Sequence, residues 1–176
     1  MPAATPRRDL PQRPARVYPV RMTATPFGRE ALSVAISSEI RARDLYREIG
    51  SRIKNRAGKR RLDRLARDED GHRLALESRY RATSGTEFRF DPASPGGPRF
   101  DFLKNDIFTQ AGALEVVSVA ISAEKEAASF YGKQLESVSD PEDVKLLRRL
   151  VKFEEGHKKR LQGEYDRLSK RFSWMG

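Results

Sequence analysis

Four stretches of the chain set apolar residues at helical spacing, and in each one an acid or a histidine stands where a hydrophobe is due. From about Gly28 the stripe runs Leu32, Ala35, Ile36, Glu39, Ala42, Tyr46, Ile49 and Ile53, a period near that of an α-helix. A second helix is predicted from roughly Gly58 to Ala82, with Leu62, Leu65, Ala66, Glu69, His72, Leu76 and Tyr80 on one face. The third, from about Gln110 to Glu136, carries Leu114, Val117, Ala120, Ile121, Glu124, Ala127, Ala128, Tyr131 and Leu135. Asp140, Pro141 and the acids Glu142 and Asp143 form a strong start signal for the fourth, because an N-cap carboxylate and an N1 proline both suit the exposed amides of a first turn. It continues through Val144, Leu147, Leu150, Val151, Glu154, His157, Leu161, Tyr165 and Leu168 and runs out near Phe172. The pattern is all-α and fits a four-helix bundle.

Residues 1–27 hold prolines at 2, 6, 11, 14, 19 and 26 among scattered arginines, which suits an extended arm preceding a bundle over 28–176. Residues 83–106 combine Gly85, Pro92, Pro95, Gly96, Gly97 and Pro98 with Phe88, Phe90, Phe100 and Phe102, the composition of a long irregular connection. So long a loop needs a reason. The expectation is that the second hairpin runs parallel to the first, so that the chain travels back along the bundle before helix three, pinned outside by its phenylalanines.

An internal duplication underlies this layout. Sliding residues 31–80 onto 116–165 without a gap matches sixteen positions. The run Ser33-Val34-Ala35-Ile36-Ser37 returns as Ser118-Val119-Ala120-Ile121-Ser122, each followed two residues later by a glutamate, Glu39 and Glu124. Tyr46 pairs with Tyr131, Leu62 with Leu147, Leu65 with Leu150, Leu76 with Leu161 and Tyr80 with Tyr165. The chain's two histidines, His72 and His157, occupy equivalent positions, each three residues after a glutamate, Glu69 and Glu154. A spacing of three puts both side chains of a Glu-x-x-His unit on one helix face.

Four glutamates on four apolar stripes converge in the interior, where an unmatched carboxylate costs several kcal/mol. No arginine or lysine repeats on those faces in both halves. Two divalent cations would neutralise the four acids, with the imidazoles completing the set, and one Glu from each of two helices plus a Glu-x-x-His from each of the others is the donor pattern of dimetal carboxylate bundles. By spacing, Glu69 and Glu154 bridge the ions, Glu39 and Glu124 are terminal or partly bridging, and His72 and His157 cap one ion each. Tyr46 and Tyr131, two turns beyond Glu39 and Glu124, are either core tyrosines or hydrogen-bond donors to a ligand carboxylate across the bundle, and both roles are compatible. Gly71 and Gly156 each cost roughly 1 kcal/mol against alanine within a helix, so their repetition predicts that a neighbouring helix or the metal pair needs the room.

Composition narrows the rest. With no cysteine there is no disulfide, cysteine-ligated zinc, iron–sulfur cluster or cysteine nucleophile. No run approaches the eighteen apolar residues of a membrane span, and the N-terminus lacks a signal peptide's apolar stretch, so the expected location is the cytoplasm with no membrane partner. The net charge of +10 gathers at 52–67 (Arg52, Lys54, Arg56, Lys59, Arg60, Arg61, Arg64 and Arg67 against Asp63) and in the N-terminal arm. That leaves open a basic, DNA-associated protein with a structural metal, beside the plainer reading of a solvated turn complementing a helix dipole.

Glu39 to Tyr46, Glu69-Asp70-Gly71-His72, Glu124 to Tyr131 and Glu154-Glu155-Gly156-His157 together resemble the rubrerythrin branch of the ferritin-like superfamily, over about residues 28–170. The resemblance implies a ferritin-like bundle of two duplicated hairpins joined by a long crossover. It also implies a non-haem di-iron centre, with two iron ions as cofactor, reacting with hydrogen peroxide or dioxygen, and homodimers that exchange helical hairpins. Manganese suits the same ligands. Two departures stand out. Lacking the cysteine-ligated rubredoxin module, the chain needs a separate electron-donor protein, and Ala127 occupies the position where peroxidase members carry an extra glutamate. Glu126 points about 200° around the helix from Glu124 and is no substitute by spacing. The expected activity is a di-iron oxidoreductase, with ferroxidase or iron handling through the same six ligands as the rival.

Overall fold

The computed structural model describes residues 24–97 and 110–173, with side chains for 24–97 and 113–170. Four helices make up the described regular structure: α1 (Arg29–Arg52), α2 (Arg56–Ser84), α3 (Gln110–Ser137) and α4 (Pro141–Ser173). Connections of three residues, 53–55 and 138–140, close α1–α2 and α3–α4 into antiparallel hairpins whose helices pack along their lengths. Asp140 caps α4 as its sequence requires, its Oδ1 accepting from the Glu142 and Asp143 amides at 3.1 Å each. Helix α2 begins two residues before the expected Gly58, because the Asn55 side chain accepts from the amides of Ala57 (2.9 Å) and Gly58 (3.0 Å) and so supplies an earlier cap.

The hairpins do not run parallel, contrary to expectation. Tyr46 of α1 meets Glu124 of α3, and Glu39 meets Tyr131, so advancing along α1 means retreating along α3. Likewise Arg61 pairs with Glu164 (2.6 Å) while Arg79 pairs with Asp140 (2.8 Å), which sets α2 against α4. Helix α3 therefore runs with α2, and it is this that obliges the chain to return the length of the bundle. Equivalent residues of the two repeats exchange places about an approximate twofold axis across the bundle.

Two apolar layers, and a smaller group of Leu45, Ile49 and Val116, fill the described interior. One, at the end where α1 starts, includes Leu32, Ile36, Leu76, Tyr131, Leu147 and Leu150, and the other, toward the α1–α2 turn, includes Tyr46, Leu65, Ala66, Ala120 and Leu161. Phe27, the last residue of the arm, is also buried in the first layer. Its amide donates to Asp143 at 2.8 Å, and the Thr25 carbonyl accepts from Ser139 (2.9 Å) and Asp140 (3.1 Å), so residues 24–27 are stitched to the α3–α4 turn. Residues 1–23 of the arm lie outside the described residues.

Asp143 is fully buried, and Arg79 holds both of its oxygens from α2. Substituting Arg79→Met strands that carboxylate, so the urea midpoint should fall by the equivalent of about 3 kcal/mol with an unchanged slope. An unaltered midpoint would show that the clamp contributes nothing.

The described part of the crossover, beginning at the Gly85 cap that follows α2, runs along the outside of α1. Phe88 packs edge-on to Tyr80 (5.6 Å), and Arg41 lies 5.5 Å from the Phe90 ring centre. The Arg41 guanidinium donates to the carbonyls of Pro92 (2.9 Å), Ser94 (2.6 Å) and Gly96. At Gly96 (φ 98°) and Gly97 (φ 75°) the backbone is left-handed, and a Cβ on Gly97 would sit 2.9 Å from the Ser38 Cα, an approach only glycine permits. Phe100 and Phe102 fall outside the described residues.

Candidate metal centre

All six predicted donors meet between the two apolar layers. Glu39, Glu69, His72, Glu124, Glu154 and His157 are each at most 4% exposed, which rules out a solvated face for any of them. They form two overlapping groups, Glu39–Glu69–His72–Glu154 and Glu69–Glu124–Glu154–His157, in each of which one donor atom per residue lies within 4.8 Å of the others. Glu69 and Glu154 belong to both. This sharing follows from the duplication, since the axis that exchanges the repeats places the two Glu-x-x-His units face to face.

Both imidazoles turn Nδ1 inward. His72 Nδ1 lies 2.9 Å from Glu69, 3.1 Å from Glu154 and 3.6 Å from Glu39, while His157 Nδ1 lies 3.0 Å from Glu69 and 3.4 Å from both Glu124 and Glu154. The rings stand 5.6 Å apart. Tyr46 donates to Glu124 Oε1 and Tyr131 to Glu39 Oε1, so the tyrosines serve both roles left open by the sequence: they are core residues, and each fixes one oxygen of a carboxylate from the opposite hairpin.

Burial pushes Glu39 up to about 8, helped by the nearby negative charge of Glu154. Glu124 is likewise raised well above the ordinary carboxylate range, first by burial. For Glu69 and Glu154, burial also acts upward but is outweighed by the close imidazoles of His157 and His72, which leave Glu69 below its usual value and Glu154 at about 2. Against burial, which alone would lower them, the surrounding carboxylates hold His72 and His157 up at about 12. Protons thus stand in for positive charge: two imidazoliums balance two carboxylates, beside two neutral acids.

The protons leave the donor set incompletely satisfied. Glu69 Oε1, Glu154 Oε1 and His157 Nδ1 are buried without a well-aligned hydrogen bond, although Glu69 Oε1 and His157 Nδ1 are 3.0 Å apart. Buried polar atoms rarely go unpartnered. Inward-facing carboxylate oxygens with lone pairs unused, and imidazole nitrogens that each offer a lone pair once a proton leaves, are what two divalent cations require, and this cluster fits them.

A chamber of about 210 Å³ opens onto the carboxylates from the α1–α3 side, lined by Glu39, Glu69, Glu124, Glu154 and Tyr131 and roofed by Gly96 and Gly97. Ala127 also lines it, so the position three residues after Glu124 brings no carboxylate, while Glu126, exposed and outside both donor groups, is a further acid of the lining. Sequence reasoning missed the roof and its Arg41 clamp. It also missed Asp68, whose Oδ2 lies 3.2 Å from His157 Nε2; its position directly before Glu69 was the available signal. No neighbouring helix crowds Gly71 or Gly156, since a Cβ on either would meet no protein atom within 4 Å. In the basic cluster, Arg52 pairs with Glu48, Lys59 with Asp63 and Arg61 with Glu164, so part of its charge is internally matched. No helix among the described residues is long and apolar enough to cross a membrane.

Two antiparallel hairpins, a returning crossover and a buried cluster of four Glu and two His define a ferritin-like bundle with a dimetal-type centre. The chain belongs to the rubrerythrin family, whose model matches residues 30–165. Its structure is similar to that of "Hypothetical Protein Pfu-1136390-001" from Pyrococcus furiosus, with a TM-score of 0.69 and 29% identity, covering 81% of this chain and 90% of the other. A search of curated proteins returns no match.

Proposed function

We propose that the chain is a di-iron oxidoreductase that reduces hydrogen peroxide or dioxygen with electrons from a separate donor protein. The observation that carries this reading is the pair of donor groups sharing Glu69 and Glu154 beneath a chamber of about 210 Å³. Glu39, Glu69, Glu154 and His72 would hold one ion, and Glu69, Glu124, Glu154 and His157 the other. Iron bound there supplies the two electrons the reduction consumes. The chain's own residues set the conditions. Four carboxylates neutralise two divalent charges, so the loaded core carries no excess charge that burial would penalise. Tyr46 and Tyr131 each tie down one oxygen of Glu124 and Glu39, directing the other toward the ions and limiting the carboxylates' freedom to swing. The chamber has room for a few water-sized molecules, at ~30 Å³ each, which suits a small oxidant.

Anaerobic loading with Fe(II), followed by repeated cycles of one equivalent of peroxide and a chemical reductant, tests the reading. About two irons per chain should remain bound over successive turnovers. Continuous release of Fe(III) would instead make iron the substrate, and a chain that binds no iron would remove the basis of the proposal.

A further inference from the structure

The duplication lets the two histidines be compared position by position, and their surroundings differ. His157 Nε2, the nitrogen facing away from the cluster, lies 3.2 Å from Asp68 Oδ2. The residue equivalent to Asp68 in the second repeat, 85 positions on, is Phe153. That ring stacks at a tilt on His72 with centroids 5.1 Å apart, is 39% exposed, and is itself covered by the Arg149 guanidinium at 5.7 Å. One imidazole is thus backed by a carboxylate and the other by an aromatic face.

We propose that the two cation positions are unequal, the one served by His157 and Glu124 binding more tightly than the one served by His72 and Glu39, with Asp68 as the residue that makes the difference. The inference rests on the dimetal reading of the cluster. When Nδ1 gives its lone pair to a cation, the ring proton must sit on Nε2. In His157 that N–H donates to Asp68, which fixes the tautomer and ring orientation, makes Nδ1 a stronger donor, and adds negative charge behind the ligand. Phe153 presents a ring with no acceptor lone pair, so His72 receives none of these. Arg160, 3.7 Å from the same Asp68 oxygen and half exposed, offsets part of the charge but leaves the hydrogen bond in place. Loss of a carboxylate behind a metal-bound histidine typically weakens binding roughly tenfold to a hundredfold. Under limited metal supply, the His72 position is therefore the one left unfilled.

Single-position variants test this without interference between the ions. His72→Ala keeps the position backed by Asp68, and His157→Ala keeps the other. Cobalt(II) titrated into each, followed by calorimetry and visible absorption, should show His72→Ala binding its ion roughly tenfold to a hundredfold more tightly. Adding Asp68→Asn to His72→Ala should erase the advantage, and adding Phe153→Asp to His157→Ala should restore affinity at the weaker position. Far-UV circular dichroism establishes that each variant is folded. Equal affinity in the two single variants, or an advantage that survives Asp68→Asn, overturns the inference. Failure of the unaltered chain to take up cobalt would instead overturn the dimetal reading beneath it.

Discussion

Replacing either shared acid, Glu69→Ala or Glu154→Ala, is expected to abolish binding of both ions, whereas Glu39→Ala or Glu124→Ala should abolish only one. The difference follows from membership: Glu69 and Glu154 stand in both donor groups, Glu39 and Glu124 in one each. Losing a bridging carboxylate also leaves one negative charge too few for two divalent cations in a core whose six donors are at most 4% exposed, and buried unbalanced charge costs several kcal/mol. Elemental analysis after loading and desalting should read about two ions for the unaltered chain, near zero for either bridging variant and about one for either terminal variant. Helical circular dichroism should persist throughout, because the apolar layers on either side of the cluster remain. Equal losses in all four variants would mean that the acids are not divided into bridging and terminal roles.

Uptake of two divalent ions near pH 6.5 should release about four protons. Without metal, His72 and His157 are protonated up to about 12, Glu39 holds its proton up to about 8 and Glu124 is raised well above the usual carboxylate range, while Glu154 at about 2 and the lowered Glu69 are ionised. Four protons therefore leave as four units of positive charge enter, and the cluster is neutral before and after. With that stoichiometry, each unit of pH fall should lower the combined binding constant by about ten-thousandfold. Above pH 8 Glu39 has already ionised and contributes no proton to the release. Calorimetry in buffers of different ionisation enthalpy counts these protons, and a release near zero at pH 6.5 would contradict the protonation pattern.

The same shifts govern the metal-free fold. Because folding raises Glu39 from 4.5 to about 8, its contribution is fully present below 4.5 and is lost as pH rises through 8. Glu154 has the opposite sign: depressed to about 2, it stabilises above 4.5 and ceases to do so as pH falls through 2.

Much of the centre was legible because duplication turns weak signals into strong ones. A single Glu-x-x-His on a charged helix says little, but Glu69–His72 and Glu154–His157 in register, with Glu39 and Glu124 displaced by the same 85 residues, identify four inward faces at once. The start of helix α4 was legible to the residue because Asp140 and Pro141 act locally. The direction of the second hairpin was not, since a helix stripe is the same read either way and only contacts such as Tyr46–Glu124 fix the sense. Phe27 escaped because it lies beyond the periodic segment and is buried by a neighbouring turn. Asp68 escaped for the opposite reason: comparing the repeats draws the eye to what they share, and here they differ.

The twofold arrangement also bears on descent. A half-length chain pairing with its own copy about this axis would bring together the same six donors, since each hairpin supplies three. Such an ancestor could change only both halves at once, carrying either an aspartate behind each histidine or a phenylalanine behind each. Joining two such halves in one gene, with 25 residues of crossover between Gly85 and Thr109, would remove that constraint and let position 68 and position 153 differ as they do here.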